Sequence, residues 1–221
     1  MEVRTAVRER RTIRAYKQGK VPRDVIHEIL EDARWAPSWG NTQGWEFCVV
    51  MGDTLEKFKE ANLKKLKAGS TSTPEIPMPE KWPEKHNERY TGIVKLLLNA
   101  LNIARDEKEL RNELYGKMFS LFDAPCLIVA CLDKGTSLNY GMLDIGLILQ
   151  TICLLAHERG LGTSILAASV RYPELLRKLL SISDDKVIVI GVALGYPDWD
   201  APVNKFERVR ANLNELVTWI G

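Results

Sequence analysis

The sequence lacks an excess of charge of either sign. Its 221 residues include 31 lysines and arginines and 29 aspartates and glutamates, which gives a formal net charge of +2. A charge this small produces no overall field that would attract nucleic acid or an anionic membrane. We therefore expect neither as a partner, and any anion site must be built locally from a few basic residues.

Several motifs for nucleotides and metals are also missing. No Gly-x-Gly-x-x-Gly follows a predicted strand and no Gly-x-x-x-x-Gly-Lys is present, so neither a Rossmann site nor a P-loop is expected. The three histidines are dispersed and the four cysteines show no Cys-x-x-Cys spacing, so we expect no metal site. The cysteines lie inside apolar segments and are predicted to be buried, reduced thiols.

Long uninterrupted apolar runs are absent as well. Charged residues follow Met1 without an apolar stretch, so we expect no secretory signal and predict a cytoplasmic protein. The most apolar segment, residues 142–156, has an uninterrupted part too short to span a bilayer. It also contains Asp144 and Gln150, which would be costly in lipid. A membrane span is therefore not favoured.

Residues 142–156 are instead predicted to form the central helix. Apolar residues fall on every side of it, so nearly all of its faces should be buried, either as the spine of one domain or as the seam of a dimer. Residues 157–159 and Gly160 supply a cationic last turn and a left-handed stop.

Other apolar segments indicate a sheet among helices. Three buried strands are predicted: residues 46–51, 126–131 and 187–194. Residues 164–170 are also β-prone. Six or seven helices are expected, including one after Pro22, one capped by Asp53 or Thr54, and one opened by Pro173. This order indicates a three-layer α+β domain over residues 1–221, because no linker divides the chain.

A proline-rich segment interrupts this pattern. Residues 69–90 contain four prolines, so no regular element is expected there, and the segment is either a lid over a site or a disordered excursion. Its aromatic residues Trp82 and Tyr90 favour the lid. One or two helices follow, with a charged break at residues 105–108. We treat residues 69–118 as a variable lid region.

Two basic clusters lie near opposite ends of the chain. They comprise Arg10, Arg11 and Arg14, and Lys205, Arg208 and Arg210. Crowded guanidinium groups repel one another unless an anion lies among them, although they could also spread into solvent. Because guanidinium forks suit a phosphate and the Thr12 hydroxyl could add a donor, the clusters favour a phosphate site. Residues 215–220 could then form a short helix or an edge strand, possibly of a partner subunit.

A loop of small and amide side chains, residues 39–45, directly precedes the first strand. Amides can donate and accept hydrogen bonds at once, which suits the edge of a heteroaromatic ring, although such residues also simply make turns. Together with the arginines, this loop favours a mononucleotide over a dinucleotide in a Rossmann site.

With these residues in view, the chain resembles the nitroreductase family of flavin enzymes. Four features occur in the family's order: Arg10-Arg11-Thr12-Ile13-Arg14; Ala36-Pro37-Ser38 with Asn41, Gln43 and Trp45; the helix from Asp144 through Gln150 to Gly160-Leu161-Gly162-Thr163; and Leu194-Gly195-Tyr196-Pro197 with the basic tail. Together they span nearly the whole chain.

The resemblance implies a three-layer fold with a mixed central β-sheet flanked by helices. It also implies an intertwined homodimer that binds FMN at sites in the subunit interface. The implied cofactor-binding residues are Arg10, Arg11, Thr12, Arg14, Ser38, Asn41, Gln43, Ile165, Leu166, Ala167, Arg208 and Arg210. Asp144 is implied either as a contact or as a structural support. Trp39, Trp82 and Tyr90 are implied to border the substrate.

Particular roles also follow from the resemblance. Arg10, Thr12, Arg208 and Arg210 match a phosphate clamp. Arg14 matches a cation near flavin N1 and the C2 carbonyl, where positive charge stabilises the reduced ring. Residues 165–167 match a segment whose backbone faces the ring near N5, and Ser38 and Asn41 match residues at the ring and ribityl chain.

The implied activity is a two-step, ping-pong oxidoreduction. NAD(P)H gives a hydride to flavin N5, and an electron-poor acceptor such as a nitroaromatic or a quinone then takes its place and is reduced. Because the cofactor carries the chemistry, no catalytic side chain and no metal are required. The same scaffold also allows a reductive dehalogenase, a flavin-consuming enzyme, or a flavin-binding or storage protein without turnover.

Overall fold

The computed structural model describes residues 1–221 and contains one four-stranded sheet. Its strands are β1 (Trp45–Met51), β2 (Cys126–Asp133), β3 (Gly162–Leu166) and β4 (Lys186–Gly195), in the order β1-β2-β4-β3. All three pairings are antiparallel. The expected mixture of strand directions is therefore limited to an isolated parallel bridge between Thr12 and Thr163.

The three predicted strands are confirmed, and the sheet gains a fourth. The β-prone segment 164–170 is a strand only as far as Leu166, because a 3-10 turn, Ala167–Val170, follows it. This turn takes the chain away from the sheet at the point where the resemblance places the residues facing the flavin.

Seven α-helices accompany the sheet. They are α1 (Val3–Glu9), α2 (Arg23–Ala33), α3 (Gly52–Lys67), α4 (Glu84–Ala100), α5 (Lys108–Phe119), α6 (Leu138–Glu158) and α7 (Pro173–Leu180). The predicted helix starts after Pro22 and at Pro173 are confirmed. The charged break is also confirmed, because α4 and α5 are separate helices.

Two helix starts differ from the prediction. Neither Asp53 nor Thr54 caps α3, because Gly52, with a φ of 58°, turns the chain from β1 directly into the helix. Helix α4 begins at Glu84, immediately after Pro83, so the last part of the proline-rich segment is helical. Proline is tolerated at the position just before a helix, because its fixed φ suits the start of the first turn. Tyr90 therefore lies on a helix and Trp82 in the irregular segment before it.

The sheet separates two apolar cores, so the three-layer expectation is confirmed. On one face, Ile128 of β2 packs with Ile29 of α2 and Ile148 of α6. On the other face, Leu127 packs with Phe58 of α3 and Leu176 of α7. Neighbouring residues of β2 serve opposite cores because successive side chains of a strand point to opposite faces.

Helix α6 has one exposed apolar face, contrary to the expectation of burial on nearly all sides. Tyr140, Leu143 and Leu147 are 51%, 59% and 39% exposed. The opposite face, with Ile145 and Ile152, is buried against the sheet and α2. The sequence could not distinguish the two faces because both are apolar. The helix is long and apolar enough to cross a membrane by length and composition, but it packs as a core helix. It ends as predicted before Gly160, whose φ is 72°.

The cysteines are all free, and three of the four are buried as predicted. Burial raises the pKa of Cys126 and of Cys131 to about 12, so these thiols stay protonated. Cys48, on the edge strand β1, is only half-buried.

The turn after β3 is held against the sheet by a close approach to Gly191 of β4. A Cβ at position 191 would overlap the Ser169 hydroxyl and lie 2.8 Å from Leu127 Cδ1. Ser169 Oγ in turn donates a hydrogen bond to the Leu166 carbonyl at 2.6 Å. The absence of a side chain at Gly191 therefore fixes the position of residues 165–167.

We expect Gly191→Ala to lower the free energy of unfolding by about 2 kcal/mol, because an added methyl group overpacks this contact. Denaturant unfolding measures the change. The matched control is Gly92→Ala in α4, where a Cβ meets nothing within 4 Å. That variant should keep or slightly raise stability, because alanine favours a helix. Similar unfolding free energies for the two variants would contradict this account of the packing.

Candidate functional site

The two basic clusters, distant in sequence, meet on one side of the protein. Arg208 donates from both terminal nitrogens of its guanidinium group to the carbonyl oxygens of Arg8 and Arg10. Arg11 donates to the carbonyl oxygen of Phe206 and lies 5.8 Å from the centre of its ring. The N-terminal segment and the C-terminal tail are therefore packed together.

Asn204 fixes the base of the tail, and the sequence analysis did not identify this residue. It is fully buried, its Oδ1 accepts from the Arg14 amide at 2.8 Å, and its Nδ2 donates to the carbonyls of Ala15 and Asp198 at 2.8 and 2.7 Å. On the other side, the Ile13 amide donates to the Thr163 carbonyl at 2.9 Å. The segment carrying the first cluster is thus held between the tail and β3. An asparagine within a polar tail gives no sequence signal for such a role.

The arginines of this site have no acidic partners. None of Arg10, Arg11, Arg14, Arg208 and Arg210 forms a salt bridge, although the chain has 29 acidic residues. We call these five residues the arginine cluster. The Nε atom of Arg10 is buried without any hydrogen-bond partner. A buried donor without an acceptor is costly, which favours an anionic ligand here.

Burial and repulsion between neighbouring guanidinium groups lower the pKa of three members of the arginine cluster. Burial, followed by the neighbouring Arg208, lowers the pKa of Arg11. Burial also lowers the pKa of Arg14, and burial, Arg210 and Arg10 lower that of Arg208. All of these side chains remain charged at neutral pH, so the repulsion among them persists and an anion would relieve it.

The loop of residues 38–43 is a defined turn. Gly40, Asn41 and Gln43 all have positive φ angles, of 56°, 57° and 49°. Ser38 Oγ accepts from the Gln43 amide at 2.9 Å, and the Gln43 side chain donates to the Asn41 carbonyl at 3.1 Å. The side chains of Asn41 and Gln43 are exposed, so they are available to a ligand or to another chain.

Asp144 supports this loop from α6. Its carboxylate is only 4% exposed, and Oδ1 accepts from the Trp39 amide at 3.0 Å. Asp144 therefore supports the loop, and it also lines the cleft beside Trp39 and Tyr140.

The loop borders a cleft with two aromatic rings, which we call the aromatic cleft. The rings of Trp39 and Tyr140 lie 5.3 Å apart at an angle of 37° and are 59% and 51% exposed. The cleft has a volume of about 320 Å³, and the side chains of Thr42, Thr136 and Ser137 line its other walls. It thus combines a fixed indole with hydroxyl groups.

A second cavity lies beside the turn after β3. Its volume is about 400 Å³ and its lining is mainly apolar. One wall consists of α6 with Ile165 and Ala167, and the other is residues 74–79, which we call the strap. We call this space the strap cavity. Ile165 is 45% exposed there, whereas Leu166 is buried in the opposite core.

Within this chain, the predicted site residues therefore form three groups. They are the arginine cluster with Thr12, the loop of Ser38, Asn41 and Gln43 beside Trp39, and the end of β3 beside the strap. Trp82 and Tyr90 are 49% and 57% exposed and line neither the aromatic cleft nor the strap cavity.

Comparison with known proteins identifies the family. The Nitroreductase family model matches residues 7–196. A 4-nitrobenzoate reductase from Pseudomonas putida is 32% identical over 97% of this chain and 94% of its own length. A nitrobenzene nitroreductase from Ectopseudomonas oleovorans is 30% identical over 97% and 95%.

Solved structures agree as well. The FMN and NADPH-dependent nitroreductase NfnB from Sphigopyxis sp. strain HMH superimposes with a TM-score of 0.95 at 29% identity, covering all of both chains. The FMN-dependent nitroreductase NfnB from Mycobacterium smegmatis, solved in complex with NADPH, gives a TM-score of 0.92 at 26% identity, covering 99% of this chain and 97% of the other. The chain belongs to the nitroreductase family.

Proposed function

We propose that this protein is an FMN-dependent oxidoreductase that uses NAD(P)H to reduce nitroaromatics or similar electron-poor acceptors. The observation that carries the proposal is the arginine cluster, which lacks acidic partners and contains a buried donor without an acceptor. When bound, FMN supplies a centre that takes a hydride from NAD(P)H and passes it to an acceptor that occupies the same place afterwards. The protein itself needs to bind the flavin and the acceptor, orient them and shield them from water.

The arginine cluster suits the phosphate group of FMN. Arg10, Arg208 and Arg210 supply guanidinium donors, and Thr12 adds a hydroxyl group beside them. Arg11 is hydrogen-bonded to the tail at Phe206, so it also holds the two chain ends together around the phosphate. The fold thus brings residues from both ends of the sequence to one ligand.

The strap cavity suits a flat, largely apolar ring. Ile165 presents an exposed aliphatic surface there, and Ala167 starts the turn whose backbone groups face the cavity. Arg14, whose guanidinium lies 5.9 Å from the Phe206 ring, would hold positive charge near the ring's N1 edge. Leu166 anchors this turn from the opposite core.

A second copy of the chain would complete the site. The exposed apolar face of α6 and the C-terminal tail, where Trp219 and Ile220 are 86% and 95% exposed, favour an intertwined homodimer. The tail forms a 3-10 turn at Leu213–Glu215 and no regular element afterwards, which suits an arm that wraps around a partner. We propose that the partner contributes Ser38, Asn41 and Gln43 to the ring edge.

Each protomer would be one domain, residues 1–221, with residues 69–118 as its variable lid region. The protein would act in the cytoplasm.

The aromatic cleft suits the acceptor. An electron-poor ring stacks favourably on the electron-rich rings of Trp39 and Tyr140. The hydroxyl groups of Thr42, Thr136 and Ser137 can donate to nitro oxygens. Trp82 and Tyr90, carried before and on α4, would then cover the bound acceptor from the lid.

The direct test of the function is anaerobic reduction. Mixing the FMN-loaded protein with NADH or NADPH should bleach the visible flavin absorbance, and adding 4-nitrobenzoate should restore it. If neither nucleotide bleaches the flavin, the protein is a flavin-binding or storage protein and not an oxidoreductase.

Arg208→Ala should raise the dissociation constant for FMN about tenfold or more, because losing hydrogen bonds to a charged group costs about 1.5–3 kcal/mol. Fluorescence titration of the apoprotein with FMN measures the constant. The control is Arg4→Ala on α1, whose side chain is exposed and outside the cluster. Equal affinities in the two variants would remove the phosphate assignment.

Tyr140→Leu should raise the dissociation constant for 4-nitrobenzoate about fivefold, because an aromatic pair contributes about 0.5–1.5 kcal/mol beyond area burial. Tyr140→Phe keeps the ring and should bind within twofold of the parent protein. Difference spectra of the oxidised flavoprotein report this binding without turnover. If Leu and Phe at position 140 give the same affinity, the ring plays no part in acceptor binding.

A further inference from the structure

The strap is fixed to the sheet by one carboxylate. Glu75 Oε2 accepts from the Ile188 amide at 2.8 Å, and Oε1 accepts from Arg177 Nε and Nη2 at 3.0 and 2.8 Å. The two side chains are only 21% and 19% exposed. A half-buried carboxylate with three donors, two of them from a guanidinium group, is a strong attachment point.

Glu75 covers a part of β4 that β3 leaves open. Strand β3 pairs with β4 only over residues 191–195, so residues 186–190 lack a neighbouring strand on that side. An unpaired strand edge needs acceptors for its amides. The Ile188 amide finds one in the Glu75 side chain, so the strap covers the edge of β4 directly beyond the end of β3.

Arg177 of α7 joins three segments. Besides its two bonds to Glu75, its Nη1 donates to the carbonyls of Ile182 and Ser183 at 3.3 and 2.7 Å, and its Nη2 donates to the Lys186 carbonyl at 2.7 Å. These five bonds use all five N–H groups of the guanidinium. A lysine has one nitrogen and cannot replace this fork.

A second attachment lies beside the first. The Thr73 amide donates to the Arg171 carbonyl at 3.1 Å, and Arg171 Nη1 lies 3.3 Å from Met78 Sδ. Between the two attachments, Pro74, Pro77 and Pro79 restrict the backbone of the strap. A displacement at Glu75 would therefore move the cavity wall rather than be absorbed by flexible residues.

We propose that the Glu75–Arg177 pair positions the strap as a wall of the strap cavity, so that Glu75 acts as a positioning residue for the flavin ring. The inference rests on the proposed FMN site. Pro74 and residues 76–79, on either side of Glu75, line the cavity opposite Ile165 and Ala167. The segment that the sequence alone presents as a lid is thus fixed over its first part, and a moving lid is confined to the residues that follow.

The test compares two destabilising variants of the full-length protein. Glu75→Ala removes the attachment, whereas Leu55→Ala creates a void in the core on the opposite face of the sheet, and Leu55 does not line the strap cavity. Both should unfold at lower temperature. At a temperature where both remain folded, Glu75→Ala should raise the dissociation constant for FMN about tenfold, and Leu55→Ala should leave it unchanged.

Two further measurements separate positioning from simple stability. Hydrogen exchange of the apoprotein at the Thr73 amide, which donates to the Arg171 carbonyl, should accelerate in Glu75→Ala and not in Leu55→Ala. Glu75→Gln keeps an acceptor for the Ile188 amide and should recover part of the FMN affinity.

Equal FMN affinities for Glu75→Ala and Leu55→Ala would overturn the positioning role. If Arg208→Ala still weakened FMN binding in that case, the proposed function would stand without it. A parent protein that binds no FMN would overturn both.

Discussion

Repulsion among five unpaired arginines is the constraint on which the rest of this structure depends. The fold brings Arg10 and Arg208 together from opposite ends of the chain, yet neither forms a salt bridge. Because these side chains repel one another, favourable interactions elsewhere in the fold must hold the cluster in place. The local interactions of this kind are the hydrogen bonds of the buried Asn204 amide, the pairing of residues 12 and 13 with Thr163, and the stacking of guanidinium groups on Phe206. The cluster is thus preorganised for an anion rather than formed around one.

The segment that carries the first arginines and the strap cavity both border β3. Strand β3 ends at Leu166, and the turn after it is kept close by Gly191 and Ser169. The strap then covers the edge of β4 where β3 stops, attached through Glu75. An apolar cavity remains between the turn, the strap and α6. Our proposal assigns the phosphate of the cofactor to the arginine cluster and its ring to this apolar cavity.

Much of the fold could be predicted from the sequence, because the strong signals are local. The strands at Cys126–Asp133 and Lys186–Gly195 are nearly continuous apolar runs, and Pro173 marks the start of α7. What failed depends on contacts outside each segment. The exposed and buried faces of α6 are equally apolar, so periodicity could not tell them apart. The start of α3 was misassigned because Gly52 replaces a side-chain cap. The roles of Asn204 and Glu75 follow from contacts with residues far away in sequence, which no local pattern reveals.

The central claim is that the arginine cluster binds the phosphate of a flavin mononucleotide. The most direct measurement compares FMN with riboflavin, which has the same ring and lacks the phosphate, by titration of the apoprotein at several salt concentrations. The account predicts that FMN binds at least about a hundredfold more tightly than riboflavin, because riboflavin lacks charged contacts that contribute about 2.7 kcal/mol. Added salt should narrow this difference in affinity, because it screens the charges. Equal affinities for the two flavins would contradict it.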